Sequence, residues 1–305
     1  MKKFILAVIT IFLIGCQDAQ PPKWFNETPK SNQLYIYATG MGYSKKDAIN
    51  NALSFAASQV NVTINSSFES SKSYMQNNDN SQMFKEMRKD TKSYANVEFS
   101  DYQIVKEAAK ENKYYVLIKI NKEKSANVAY QKAINTIKQA KAYLNIKDKI
   151  KILKTYPKLI KELNKAIKNL YIVQTLTNKN VSKEIQQAIS LKTKLQTKLS
   201  QIGVNVKVSN YKIKTLLQDT FSQLNIPTYS NGIKVYATSS IENKQILSNY
   251  ISTLTLNITL KDKSAINFSI KCGGKSSSNF SNAMDFALQN CQNKLKEKLE
   301  KIFKN

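Results

Sequence analysis

Apolar and polar residues alternate from Leu34 to Thr39 (LYIYAT), the period of a strand with one buried face. Gly40-Met41-Gly42 reads as a break in that strand, and Ser44 stands where a helix N-cap belongs. From Lys45 the period changes: Ala48, Ala52, Phe55, Ala56 and Val60 recur at helical spacing, a stripe small enough to let a helix lie close on a sheet. Residues 60–68 (VNVTINSSF) alternate again, which fits either a strand or an extension of the helix. Residues 65–88 are polar and rich in Ser, Asn and Gln, and are expected to form an exposed excursion. Residues 93–106 and 114–120 (YYVLIKI) then read as antiparallel strands joined by a charged turn.

The next part of the chain is helical in period. Residues 122–154 mix apolar and Lys positions without a glycine, and Tyr156-Pro157 is expected to open a second helical segment through Leu159, Leu163, Ile167 and Leu170. A third runs from Val181 to Ile202. Amphipathic helices of this length need a partner, so a hairpin or three-helix segment is predicted, packed internally or offering a docking surface. Beyond it come a short strand at 205–208, a helix at 212–224, and three β-rich stretches at 232–240, 250–260 and 265–272. Gly273-Gly274 reads as the end of the last strand, and Phe280–Phe303 as a closing helix. The predicted fold class is α+β, with two small α/β modules (residues 34–121 and 203–305) flanking a helical region at 122–202. A short echo supports duplication: DAINNAL, with Ala48 and Ala52, and NAMDFAL, with Ala283 and Ala287, each follow a glycine pair and open a helix.

Composition narrows the chemistry. The 305 residues contain no histidine, which removes the commonest general base and the commonest zinc ligand. Seven glycines include neither a Walker-type loop nor a dinucleotide fingerprint. No catalytic, cofactor-binding or metal-binding residues are assigned, no cofactor or small-molecule substrate is evident, and a non-enzyme is expected. The formal net charge is +26, yet the lysines are spread along the chain and Arg88 is the only arginine. A nucleic-acid reader would use arginine for bidentate contacts, so no nucleic-acid partner is predicted; weak attraction to an anionic envelope surface remains.

The N-terminus carries an address. Lys2 and Lys3 precede an apolar run from Phe4 to Ile14, too short for a bilayer core of about 30 Å, as in a secretory signal peptide. The run closes Leu13-Ile14-Gly15-Cys16, which resembles the lipobox of bacterial lipoproteins. That resemblance implies a signal peptide over residues 1–15, lipidation (palmitate included) on Cys16, and a tether over residues 16–33; an ordinary signal peptide or a membrane anchor with a chance cysteine is the alternative. Gln17 rather than Asp after the cysteine implies sorting to the outer membrane, lipid-anchored and facing the periplasm. In an oxidising compartment Cys272, at the end of a predicted strand, and Cys291, on the following helix, either form a disulfide or stay as buried thiols.

Lys23-Trp24-Phe25 followed by YIYATGMGYSKKDAINNALSFAASQVNVTINSSF is similar to the opening of the Lpp-twenty family of outer-membrane lipoproteins, and to the N-terminal domain of flagellar assembly protein T. Trp24, Gly40, Gly42, Ser44, Ala48 and Ala52 carry the pattern, over residues 23–121. The C-terminal module is fainter in its likeness to the curli-secretion lipoprotein and to a lipoprotein activator of penicillin-binding proteins. The resemblance implies a non-enzymatic scaffold or binding component of the cell envelope, flagellum- or secretion-associated, with envelope proteins or peptidoglycan as partners. The alternative is a periplasmic regulator of a peptidoglycan synthase.

Overall fold

The computed structural model describes residues 20–75, 99 and 101–304. The signal segment, Cys16 and most of the excursion predicted at 65–88 lie outside the described residues. The described elements, in chain order, are α1 (Lys23–Asn26), β1 (Tyr35–Gly42), α2 (Lys45–Met75), β2 (Tyr102–Lys110), β3 (Lys113–Asn121), α3 (Lys122–Tyr143), α4 (Lys149–Thr177), α5 (Ser182–Ser200), β4 (Val204–Val206), α6 (Tyr211–Gln223), β5 (Ile233–Ile246), β6 (Asn249–Lys261), β7 (Ala265–Ser276) and α7 (Phe280–Lys304). The fold is α+β, with two separate sheets. Contacts divide the chain into two compact units, Met1–Lys132 with Lys168–Ser182, and Ala133–Ile167 with Lys183–Asn305.

In the first unit β3 lies between β1 and β2, antiparallel to both. The β2–β3 turn places Glu111 and Asn112 at positive φ, the arrangement whose twist suits a two-residue hairpin loop. Alternation sends Ile36 and Ala38 of β1, and Val116, Ile118 and Ile120 of β3, onto one face, where α2 covers them with Ala48, Ala52, Ala56 and Val60. Tyr115 and Leu117 point the other way and are buried as well. α1 closes that second face: the Phe25 ring meets Tyr115 edge to face at 5.1 Å, and the hydroxyls of Thr28 and Thr39 are hydrogen-bonded at 3.1 Å.

The second unit has a four-stranded sheet, β4-β5-β6-β7, in which β4 runs parallel to β5 and the other pairs are antiparallel. Leu254, Leu256, Ile258 and Leu260 of β6 and Cys272 of β7 are buried on one face, with Ala283, Ala287, Cys291, Leu295 and Leu299 buried along α7. α6 begins on the Asn210 side chain, which accepts from the Ile213 N–H at 3.2 Å.

Several expectations give way here. The glycine pairs do not break their strands: β1 runs to Gly42 and β7 runs through Gly273 and Gly274 to Ser276. Residues 60–68 extend a helix, and α2 continues through the first part of the polar excursion to Met75. Pro157 does not open a helix but stands inside α4 on its exposed side. A proline there removes one backbone bond, at about 3 kcal/mol in an isolated helix, but Leu153, Tyr156, Leu159 and Leu163 are buried on either side and outweigh it. The run 122–154 is two helices interrupted after Tyr143, whose carbonyl accepts from the Tyr156 hydroxyl at 2.9 Å.

Candidate functional site

The recurring local structure is a strand that meets the start of a helix, and it appears once in each unit. Ser44 caps α2, accepting from the Asp47 N–H at 3.1 Å and donating to the Asp47 carboxylate at 2.6 Å. Asn279 does the same work for α7, accepting from the Asn282 N–H at 2.8 Å. Four residues past each cap comes the first buried alanine, Ala48 or Ala283. Each alanine pair sits over a glycine. A Cβ on Gly40 would lie 2.1 Å from the Ala48 carbonyl oxygen and 2.3 Å from the Ala52 nitrogen; on Gly274 it would lie 1.9 Å from Ala283 and 2.4 Å from Ala287 at the same two atoms. The glycines therefore admit a helix backbone against the strand; turning is not their role.

The correspondence extends along both elements. Gln59 donates to the Tyr37 carbonyl at 3.3 Å and Lys294 to the Lys271 carbonyl at 2.9 Å, the same offsets from Gly40 and Ala48 as from Gly274 and Ala283. By the same offsets Ala38 matches Cys272 and Ala56 matches Cys291, and all four are buried. Cys272 and Cys291 are joined, with Cα atoms 5.3 Å apart, so the second unit holds strand to helix covalently where the first has two alanines.

Exposed side chains gather at one end of the first sheet. Tyr43 is 81% exposed, directly after β1; Met41 and Tyr114 are also exposed at this end but on opposite faces, Met41 being the register partner of Tyr115 and Tyr114 of Gly42. The Lys45–Glu107 pair, 2.6 Å apart, lies on the neighbouring surface. An exposed aromatic rim on a rigid support can take a partner's apolar groups, since Tyr offers a large contact surface and one hydroxyl. Sequence reading missed this end of the sheet because Tyr43 falls in what reads as a turn before Ser44, and Tyr114 looks like a strand residue of no special kind.

Among the described residues, Asp148 and Tyr156 have clearly shifted proton affinities, and both hold helix ends. Burial pushes the Asp148 carboxyl up, but hydrogen bonds from Ser264, Lys151 and Ile150 and the Lys151 charge outweigh it and hold the group below the ordinary carboxylate range. Its Oδ1 accepts the Ile150 and Lys151 N–H groups at 3.0 and 3.3 Å, capping α4, while Asp262 in the β6–β7 turn accepts the Lys149 N–H at 2.9 Å. Burial pushes the Tyr156 phenol up and keeps it a donor. Among the described residues, no group of three or more Cys, Asp or Glu is placed to hold a metal, and no helix is long and apolar enough to cross a membrane.

Residues 22–121 match the model of the LPP20 lipoprotein family, which is not a known enzyme family. No curated protein matches the chain. Among solved structures, the crystal structure of the secreted protein HP1454 from the human pathogen Helicobacter pylori is similar over 85% of this chain and 97% of its own, with a TM-score of 0.50 and 16% identity. At that identity the likeness is one of fold.

Proposed function

We propose that the chain, whose residues 22–121 match the LPP20 lipoprotein family, is an outer-membrane lipoprotein, anchored through acyl groups on Cys16, that binds or scaffolds other envelope components without catalysing a reaction. The observation that carries the reading is Tyr43, 81% exposed at the end of a helix-backed strand inside the matched segment. Rigid aromatic side chains of this kind supply much of the binding energy at protein interfaces. Two or three acyl chains, each methylene contributing about 0.8 kcal/mol, make a stable anchor.

Metabolic lipid labelling, membrane fractionation and cross-linking in intact cells test it together. Cys16→Ser is expected to lose the label and leave the membrane fraction. Tyr43→Ala, still membrane-bound, is expected to lose its cross-linked envelope protein. Retained labelling in Cys16→Ser would refute the anchor, and unchanged cross-links in Tyr43→Ala would refute the rim. Capture of a flagellar or secretion component would specify the scaffold, whereas capture of a cell-wall synthase would turn the reading toward a regulator.

A further inference from the structure

The two faces of the β4–β7 sheet differ in kind. One is apolar and buried, with α7 packed on it. On the other, Thr253, Thr255, Asn257 and Thr259 follow one another along β6, and their register partners are Tyr236, Thr238 and Ser240 on β5 and Ser269 and Lys271 on β7. All of these are exposed or half-buried. Lys234, Lys244, Lys261, Lys271 and Lys275 share this face with one acid, Glu242, whose carboxylate lies 4.0 Å from Lys271. The face is thus strongly positive and rich in hydroxyl and amide groups.

Gly273 sits on this face and has none of the usual reasons to be glycine. Its φ is not positive, the β6–β7 register passes it without a bulge, and a Cβ there would meet nothing within 4 Å. Glycine inside a strand weakens the strand, and apart from bends and bulges it marks a place where something approaches the backbone closely. The approach here is from outside the sheet.

The first unit shows what the same face looks like when the chain covers it. Tyr115 and Leu117 are buried there, with the Phe25 ring against Tyr115. Counting from the matched glycines, their counterparts in the second unit are Ile251 and Thr253, both half-buried where Tyr115 and Leu117 are buried.

We propose that this open face binds an anionic glycan. Hydroxyl and amide side chains repeat every second residue, about 6.6–6.8 Å apart along a strand, so they meet an extended polymer at several sugars. Thr, Ser and Asn both donate to and accept from ring hydroxyls and N-acetyl groups, and the lysines pair with carboxylates. Tyr236, 40% exposed, gives the apolar face of a sugar ring a surface to pack on. Protein interfaces have apolar, charge-depleted centres, which this face lacks. A chain with Arg88 as its only arginine, and with an apolar run from Phe4 to Ile14 that resembles a secretory signal, does not fit a nucleic-acid partner. The inference rests on this face alone and does not depend on the rim at Tyr43.

The test uses the full-length protein in detergent and co-sedimentation with purified peptidoglycan sacculi, whose stems carry carboxylates. Neutral dextran beads and phosphatidylglycerol vesicles serve as comparisons. The triple variant Lys244→Gln, Lys271→Gln, Lys275→Gln is expected to bind at least about tenfold more weakly. Gly273→Thr is expected to weaken binding while raising the melting temperature, a pair of signs that a merely structural role would not give. The charge-matched triple Lys183→Gln, Lys298→Gln, Lys301→Gln, on exposed helix positions, is expected to stay within about twofold of wild type. The proposal is overturned if wild type ignores the sacculi, if both triples lose equally, or if vesicles compete fully. It is also overturned if the first triple and Gly273→Thr both bind as wild type. Should Gly273→Thr fail to fold, the two triples decide.

Discussion

Gly273 and Gly274 are neighbours on one strand, and their side chains would point to opposite faces. Gly274→Ala places a methyl group 1.9 Å from the Ala283 carbonyl oxygen, part of a helix backbone, so α7 must lift from the sheet. A cost of about 1–3 kcal/mol is expected. Gly40→Ala meets the same obstacle in α2. Gly273→Ala meets nothing and restricts only the unfolded chain, so it is expected to stabilise by about 0.4–1 kcal/mol. Denaturant unfolding of the three variants checks the order. Asp148 gives a pH-dependent counterpart. Its carboxyl is held below its unfolded value, so its contribution is present in full above the ordinary carboxylate range and is lost as pH falls through the lowered folded value. Asp148→Ala is therefore expected to cost about 1 kcal/mol at neutral pH, with the difference from wild type shrinking under acid. Unfolding curves at pH 7 and at pH 3 measure this.

Strand β7 and helix α7 are tied by a bridge of sequence separation 19, worth roughly 3 kcal/mol in the chain-entropy model. Protein isolated without reductant is expected to present no alkylatable thiol at Cys272 or Cys291. The matched positions in the first unit allow a stricter check: Ala38→Cys with Ala56→Cys, in a background lacking the native pair, is expected to form a bridge between β1 and α2. Mass spectrometry of non-reduced peptides reads both results, and two free thiols in the engineered protein would show that the units do not correspond as described. Much of this level was legible from the residues. Alternation gave β1, β3 and β6, and the alanine stripe gave the helix that packs on β1. What misled was glycine, which reads as punctuation in a single strand because the helix that needs its missing Cβ arrives from elsewhere in the chain. Pro157 misled for a related reason: its local cost is visible, while the burial of Tyr156 and Leu163 that offsets it is tertiary. The rim at Tyr43 and the open face of β6 depend on what does or does not cover a strand, and one strand's pattern cannot show that.

Across the molecule, the two sheets carry one arrangement in two chain orders. In the first unit the edge strand β1 and its helix come first and the central strand β3 comes last; in the second, the strands follow in spatial order from β4 to the edge strand β7, and the helix that packs on β7 comes after them. The LPP20 match covers the first order alone, and the likeness to HP1454 extends over most of the chain. The order has a kinetic consequence. β5, β6 and β7 are joined by short turns, so their pairing closes small loops quickly and needs little of the chain in hand. β1 must wait for β3, since Tyr35 pairs with Asn121, and that closure carries the entropy of a much longer loop. A chain emerging N-terminus first thus exposes its β1 edge for as long as β3 is still to come. While the chain is being made, the segment that matches the lipoprotein family is the one that depends longest on being kept from wrong partners.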